Sequence, residues 1–202
     1  MQVSDDVLQA LLPHTGLRSL SCSNTRYSDG AGLLARFPHL TALHLDGCSN
    51  IRGGPAGLSH LTELRQLSLA RCRDVAVCTV LAMVKASPHL THLDVSWCRG
   101  AANGHDSCMQ LAGGLAQLRH LNLSSSRVSQ AVLAQLGQLS SLRELMLSAF
   151  ALGGAATSAQ GANVQDSPDM PAGKRESVLA PLAALAHLTY LDIKWAKVRL
   201  YA

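Results

Sequence analysis

The chain has 202 residues, 48% of them apolar but only 3% aromatic, and a formal charge of +4. Its core must be built from Leu, Val and Ala, which suits a thin layered domain better than a sandwich with large aromatic packing. No run of Lys/Arg points to nucleic acid, no stretch approaches the roughly 18 apolar residues of a membrane span, and the first residues lack the basic start and apolar run of a signal peptide.

Residues 1–16 carry Val7, Leu8, Leu11 and Leu12 at helical spacing, the pattern of a cap helix or the helix half of an earlier repeat. From Leu17 onward the block Leu-x-x-Leu-x-(Leu/Val/Ile/Cys) recurs seven times, beginning at Leu17, Leu40, Leu64, Leu90, Leu118, Leu142 and Leu188. The first five intervals are 23, 24, 26, 28 and 24 residues, and the last is 46. A period in the twenties marks a solenoid, in which each unit buries its apolar face against its neighbours.

Counting from the first Leu of each block, positions 1, 4 and 6 are apolar, while 3, 5 and 7 are mostly polar. That alternation predicts a short strand with one wet face. Because every repeat has the same pattern, the strands should stack in parallel, about 4.8 Å apart, into a sheet roughly 30 Å long. Position 9 reads Thr25, Cys48, Cys72, Cys98, Ser126, Phe150 and Ala196. Small, weakly polar side chains there can turn inward and support the bend that leaves the strand, using at most one hydrogen bond each.

Beyond position 9, apolar residues three or four apart predict helical returns. Val75, Leu81, Val84 and Leu90 form one set; Val128, Val132, Leu133, Leu136 and Leu139 a second; Val178, Leu179, Leu182, Leu185 and Leu188 a third. Six repeats thus occupy 17–152. Residues 153–176, made largely of Gly, Ala, Ser, Thr, Gln, Asn and Pro, read as a flexible low-complexity insertion, and 177–202 supply the helix and strand of a seventh repeat. The chain stops soon after that strand with no capping helix. It is expected either to belong to a longer chain or to have its end covered.

The block Leu-x-x-Leu-x-Leu-x-x-(Asn/Cys) resembles that of leucine-rich-repeat proteins. Leu93-Asp94-Val95-Ser96-Trp97-Cys98 and Ala86-Ser87-Pro88-His89-Leu90 resemble the cysteine-containing subclass found in F-box/leucine-rich-repeat proteins. Ser126, Phe150 and Ala196 depart from its cysteine. The resemblance implies an α/β solenoid shaped as a horseshoe, with a concave parallel sheet and convex helices. It implies a non-enzymatic protein–protein interaction module. In the subclass, such repeats capture substrates for cullin-type (SCF) ubiquitin ligases, so ligase components are possible partners by analogy to fold relatives. Only 16 residues precede the first block, too few for an F-box ahead of it. The alternative is a structural scaffold subunit of a larger intracellular assembly.

On such a sheet the non-core strand positions face the concave side. Arg71, His92, Asp94, Trp97 and His120 fall on adjacent strands as one polar–aromatic patch, with Asn122 and Glu144 in the same rows. Tyr190, Asp192, Lys194 and Trp195 form a second patch at the C-terminal edge. Trp and Arg often dominate binding energy, at about 2 kcal/mol or more each when buried. Trp97 has a second reading, as a cover over the end of its strand. Position 2 supplies a rim of Arg18, Arg65, Arg119 and Arg143, read as solvated charge.

His92, Asp94 and His120 share a face without a fourth ligand, so no metal is expected. No cofactor motif and no catalytic constellation is present. The expected partner is a protein on the concave face, with neither membrane nor nucleic acid. Cysteines at repeat-locked positions look like buried thiols, and Cys78 and Cys108 like small apolar fillers. Together they suggest a reducing, intracellular setting, cytoplasmic or nuclear.

Overall fold

The computed structural model describes residues 9–25, 33–48, 51, 60–73, 75, 77–98, 115–125, 127–148, 151–153 and 179–194. Seven strands of three residues form one parallel sheet: β1 (Ser19–Ser21), β2 (Ala42–His44), β3 (Gln66–Ser68), β4 (His92–Asp94), β5 (His120–Asn122), β7 (Glu144–Met146) and β9 (Tyr190–Asp192). They pair in that order and in one register, so position 4 faces position 4 throughout: Leu20, Leu43, Leu67, Leu93, Leu121, Leu145 and Leu191. The chain is a solenoid with an open parallel sheet.

The register follows from the pleat. Each strand's middle leucine points into the core and its two neighbours point out, so a slip of one residue would expose every leucine at once. Position 1 is also buried at Leu40, Leu64, Leu90, Leu118 and Leu142, as is position 6 from Cys22 to Leu147. Burial stabilises each such leucine by about 2 kcal/mol, and repetition rather than bulk holds the stack together.

One turn recurs before each strand. The N–H of position 1 donates to the carbonyl three residues earlier, as in Leu40 to Phe37 (3.3 Å), Leu90 to Ser87 (3.1 Å) and Leu142 to Leu139 (2.9 Å). That earlier residue is buried from the second repeat on, at Phe37, Leu61, Ser87, Leu115, Leu139 and Leu185, whereas in the first repeat Leu17 donates to the exposed His14. Ser87 is the polar exception, and its hydroxyl donates to the Leu61 carbonyl of the preceding repeat at 2.9 Å.

The returns are less uniform than the periodicity predicts. An α-helix, α1 (Val77–Ala86), buries Val80, Met83 and Val84, and α2 (Gln130–Leu136) buries Val132, Leu133 and Leu136. The third predicted helix is only a 3₁₀ turn over Ala180–Ala184, with Pro181 in its first turn. A second 3₁₀ turn spans Leu33–Arg36. Missed by the sequence reading is a small second sheet, in which β6 (Arg127–Ser129) pairs in parallel with β8 (Ala151–Gly153). Both strands begin nine residues after the first Leu of their blocks, Leu118 and Leu142, so the two chains leave the main sheet in phase and can pair again.

The two ends of the sheet differ. At β1, Leu20 is only 6% exposed, and Leu11, Leu12 and Leu17 pack against the core beside it. At β9, Leu191 and Ile193 are 41% and 36% exposed, although they occupy the same core positions. The strand pairs only with β7 among the described residues. The Gly153 end of β8 is described; the rest of the predicted insertion, Trp195, and the position-9 residues Ser126, Phe150 and Ala196 lie outside the described residues.

Candidate functional site

The concave face is organised in rows that cross the strands. Position 3 aligns His92, His120, Glu144 and Tyr190; position 5 aligns Asp94, Asn122, Met146 and Asp192. The two patches predicted from sequence are therefore continuous, because β9 pairs directly with β7 despite the long interval before it. An open trough of about 300 Å³ runs over these rows, lined by His44, His92, Asp94, His120, Asn122 and Met146 among others.

The centre of the trough is a pair of stacked imidazoles. The rings of His92 and His120 are 4.0 Å apart, centroid to centroid, and within 11° of parallel. Their tautomers follow from their partners. Thr91 Oγ1 donates its single proton to the Arg65 carbonyl at 3.0 Å, so it must accept from His92 Nδ1 at 2.8 Å. His120 Nδ1 lies 2.7 Å from a Glu144 carboxylate oxygen, which only accepts. In its neutral form each ring thus carries the proton on Nδ1 and keeps a lone pair on Nε2. Desolvation and the neighbouring imidazole hold His92 below the ordinary histidine range.

Three of the predicted binding residues have structural work. Asp94 Oδ1 accepts the Ser96 N–H at 2.9 Å, Asn122 Oδ1 the Ser124 N–H at 3.0 Å, and Asp192 Oδ1 the Lys194 N–H at 3.1 Å. An Asp or Asn at position 5 thereby closes the strand's end with a local turn. Asn122 Nδ2 also donates to Asp94 Oδ2 at 2.9 Å, tying β4 to β5. Asp46, at position 7, instead ties its repeat to the repeats on either side. It accepts from Ser23 Oγ (3.3 Å), the Ala70 N–H (3.0 Å) and Ser68 Oγ. The available signal was a carboxylate flanked by hydroxyls in the rows on either side.

Arg71 and Trp97 lie in the turn that leaves the sheet. Position 8 adopts left-handed backbone in five repeats: Asn24 (φ 58°), Gly47 (φ 69°), Arg71 (φ 61°), Trp97 (φ 60°) and Ser125 (φ 57°). Each position-8 N–H extends the ladder to the position-7 carbonyl of the next repeat, as in Arg71 to Ser96 (2.8 Å) and Trp97 to Ser124 (2.9 Å). The chain then folds back, with the Cys72 N–H donating to the Leu69 carbonyl at 3.1 Å. For a side chain with a Cβ this conformation costs roughly 1–2 kcal/mol. Trp97 is nonetheless 53% exposed, so the turn presents its indole at the rim of the sheet rather than absorbing it.

Beneath that rim the position-9 cysteines form a ladder of thiol donors. Cys48 Sγ donates to the Cys22 carbonyl (3.1 Å), Cys72 Sγ to Leu45 (3.0 Å) and Cys98 Sγ to Leu69 (2.9 Å), each reaching the preceding repeat. Burial pushes the Cys72 and Cys98 thiols up to about 12. Cys22, Cys48, Cys72 and Cys98 are all buried thiols. They are packing groups, not nucleophiles.

Electrostatically the concave face runs against the chain. Its described carboxylates are Asp46, Asp94, Glu144 and Asp192, while Lys194 is the one cation among the described residues at positions 3, 5 and 7. The chain as a whole is +4. The position-2 arginines are exposed along one rim. No group of three or more His, Cys, Asp or Glu among the described residues could hold a metal ion. Parallel rings direct their lone pairs side by side, whereas a metal needs donors that converge at about 2 Å.

A family model described as "Leucine Rich repeat" matches residues 86–99, a stretch that contains β4 and Cys98. No curated protein matches the chain. Among solved structures, an internalin from Listeria monocytogenes str. 4b F2365 matches with a TM-score of 0.61 at 16% identity, covering 99% of this chain and 54% of that one. The chain thus spans about half the length of that relative, and at this identity the likeness speaks for the fold alone. Repeat, register and turn agree with it: the chain has the leucine-rich-repeat solenoid fold.

Proposed function

We propose that the chain is a non-enzymatic binding module that holds a partner protein on its concave sheet. Leucine-rich-repeat folds generally act in protein–protein interaction, and the observation that carries the reading here is the trough. Much of its floor is pre-organised, because His92, Asp94, His120 and Asn122 are each held by a neighbouring strand or the local backbone, so little of their side-chain entropy is left to lose on binding. The exposed Trp97 and Arg71 at the rim are the residue types that most often anchor an interface.

Within that reading, substrate reception for a cullin-type ubiquitin ligase is the most specific setting, supported by the cysteine ladder, which resembles the subclass found in F-box proteins. The buried thiols support an intracellular location. Exposure of Leu191 and Ile193 favours a second reading, a scaffold subunit whose open β9 edge packs against a neighbour. No helix of the described residues is long and apolar enough to cross a membrane.

Affinity isolation from the source cells tests these readings, using the native chain, a Met146→Glu/Glu144→Lys variant of the trough, and a Gln138→Glu control on the return. Proteins held by the native chain and the control but lost with the trough variant are concave-face partners; a cullin and its adaptor among the co-purifying proteins supports the ligase setting. An identical bound set with all three proteins refutes the concave-face reading. If Leu191→Asp alone abolishes a stoichiometric complex, the scaffold reading takes its place.

A further inference from the structure

The stacked imidazoles suggest what chemistry the concave face selects, an inference that rests on the proposal that this face binds protein. Stacked histidines are an unusual floor for a trough, since two imidazoles in contact resist being charged together. Here both Nδ1 atoms are committed as donors, His92 to Thr91 and His120 to Glu144. Each ring is left with an Nε2 acceptor that has no partner among the described residues. Two parallel acceptors, set beside carboxylates, ask for a cation with more than one N–H.

We propose that the His92–His120 stack is the socket for an arginine side chain of the partner protein, with Glu144 and Asp94 supplying the opposing charge. A planar guanidinium offers several N–H donors in a fixed fork, which suits two neighbouring acceptors better than a compact ammonium does. The Met146 side chain beside the rows offers a polarizable flank for its stem. An acidic partner group would face Asp94 in the trough and Asp46, Glu144 and Asp192 on the same face of the sheet, against Lys194 as the one described cation at its positions 3, 5 and 7. An apolar group would leave both Nε2 acceptors without a donor.

The same geometry makes the socket sensitive to acid. Protonation turns each Nε2 from acceptor to donor and adds positive charge beneath a cation, so the arginine is released. The groups facing the stack set when this happens. Glu144 and Asp94 favour the charged rings, and Asp192 lies farther along the same row; Arg119, Arg65 and Arg143 on the position-2 rim oppose protonation, as does His44 once it is charged. Gln66 and Asn122 carry no charge, and Tyr190 shares the position-3 row. Each ring also disfavours charging of the other.

The test is selection of a random-peptide phage library on the intact chain near neutral pH, with elution at about pH 5. The expected result is enrichment of arginine over the unselected library, release by acid, and retention about tenfold weaker on a His92→Phe/His120→Phe variant, which keeps two stacked rings but lacks both Nε2 atoms. Circular dichroism reports whether the double variant folds; if it does not, acid release and arginine enrichment on the native chain decide alone. Peptides that lack arginine but fail on the Met146→Glu/Glu144→Lys variant overturn the arginine socket and leave the concave face standing. Peptides indifferent to every concave substitution, or no selected peptide at all, overturn both.

Discussion

Position 8 offers a test in which the usual ranking of glycine and alanine reverses. Replace Trp97 by Gly and, separately, by Ala. Both variants lose the same indole, so their difference isolates one Cβ at a φ of 60°. In left-handed backbone that Cβ costs roughly 1–2 kcal/mol, while glycine's greater freedom in the unfolded chain costs about 0.5–1 kcal/mol. The balance favours glycine by about 0.5–1 kcal/mol, whereas at an ordinary strand or helix site alanine wins by a similar amount. Urea denaturation with unchanged slope reads the difference: at about 1–3 kcal/mol per molar, the Gly variant's midpoint should lie higher by a few tenths molar. The same comparison at Arg71 (φ 61°) should give the same sign. Gly47→Ala should lose stability for the same reason, and there a Cβ would also run into the Asn24 side chain. If Trp97→Ala is as stable as Trp97→Gly, the left-handed turn is not a constraint of the repeat and the account of position 8 fails.

The core should respond by place in the stack: Leu67→Ala, at a side chain 2% exposed, is expected to cost about 2–5 kcal/mol in urea denaturation, and Leu191→Ala, at one 41% exposed, under ~1 kcal/mol. Equal costs would mean that β9 is covered in solution. Cys72 and Cys98 should resist a disulfide reagent in the native chain at mildly alkaline pH and react on unfolding; stoichiometric labelling of both in the folded protein would contradict their burial. His92 is held below its unfolded value, so the unfolded chain takes up that proton first as pH falls. Stability should therefore decline shallowly from the ordinary histidine range, near 6.5, down to the lower folded value, with solvent screening limiting the size. His92→Phe should flatten that limb, and an unchanged pH profile would assign the decline to other groups.

Periodicity alone determined the architecture: seven blocks with the same inward positions can bury their leucines only by stacking in register, and the parallel sheet follows whatever the intervals between blocks. Even the turn at position 8 left a trace, since Asn24 and Gly47 tolerate left-handed backbone readily, though Arg71 and Trp97 disguised it by resembling surface anchors. The forms of the returns were less legible, because a few residues at helical spacing fit an α-helix, a 3₁₀ turn or a short strand, and neighbouring repeats choose among them. The binding face was legible as a set of positions but not as an arrangement. Only the tertiary structure decided that Asp94, Asn122 and Asp192 close their own strands while His92, His120 and Glu144 interact across theirs. The physical reason is that a polar side chain's partner is chosen by register and distance across strands, and residues more than twenty positions apart acquire that relation only once the coil has closed.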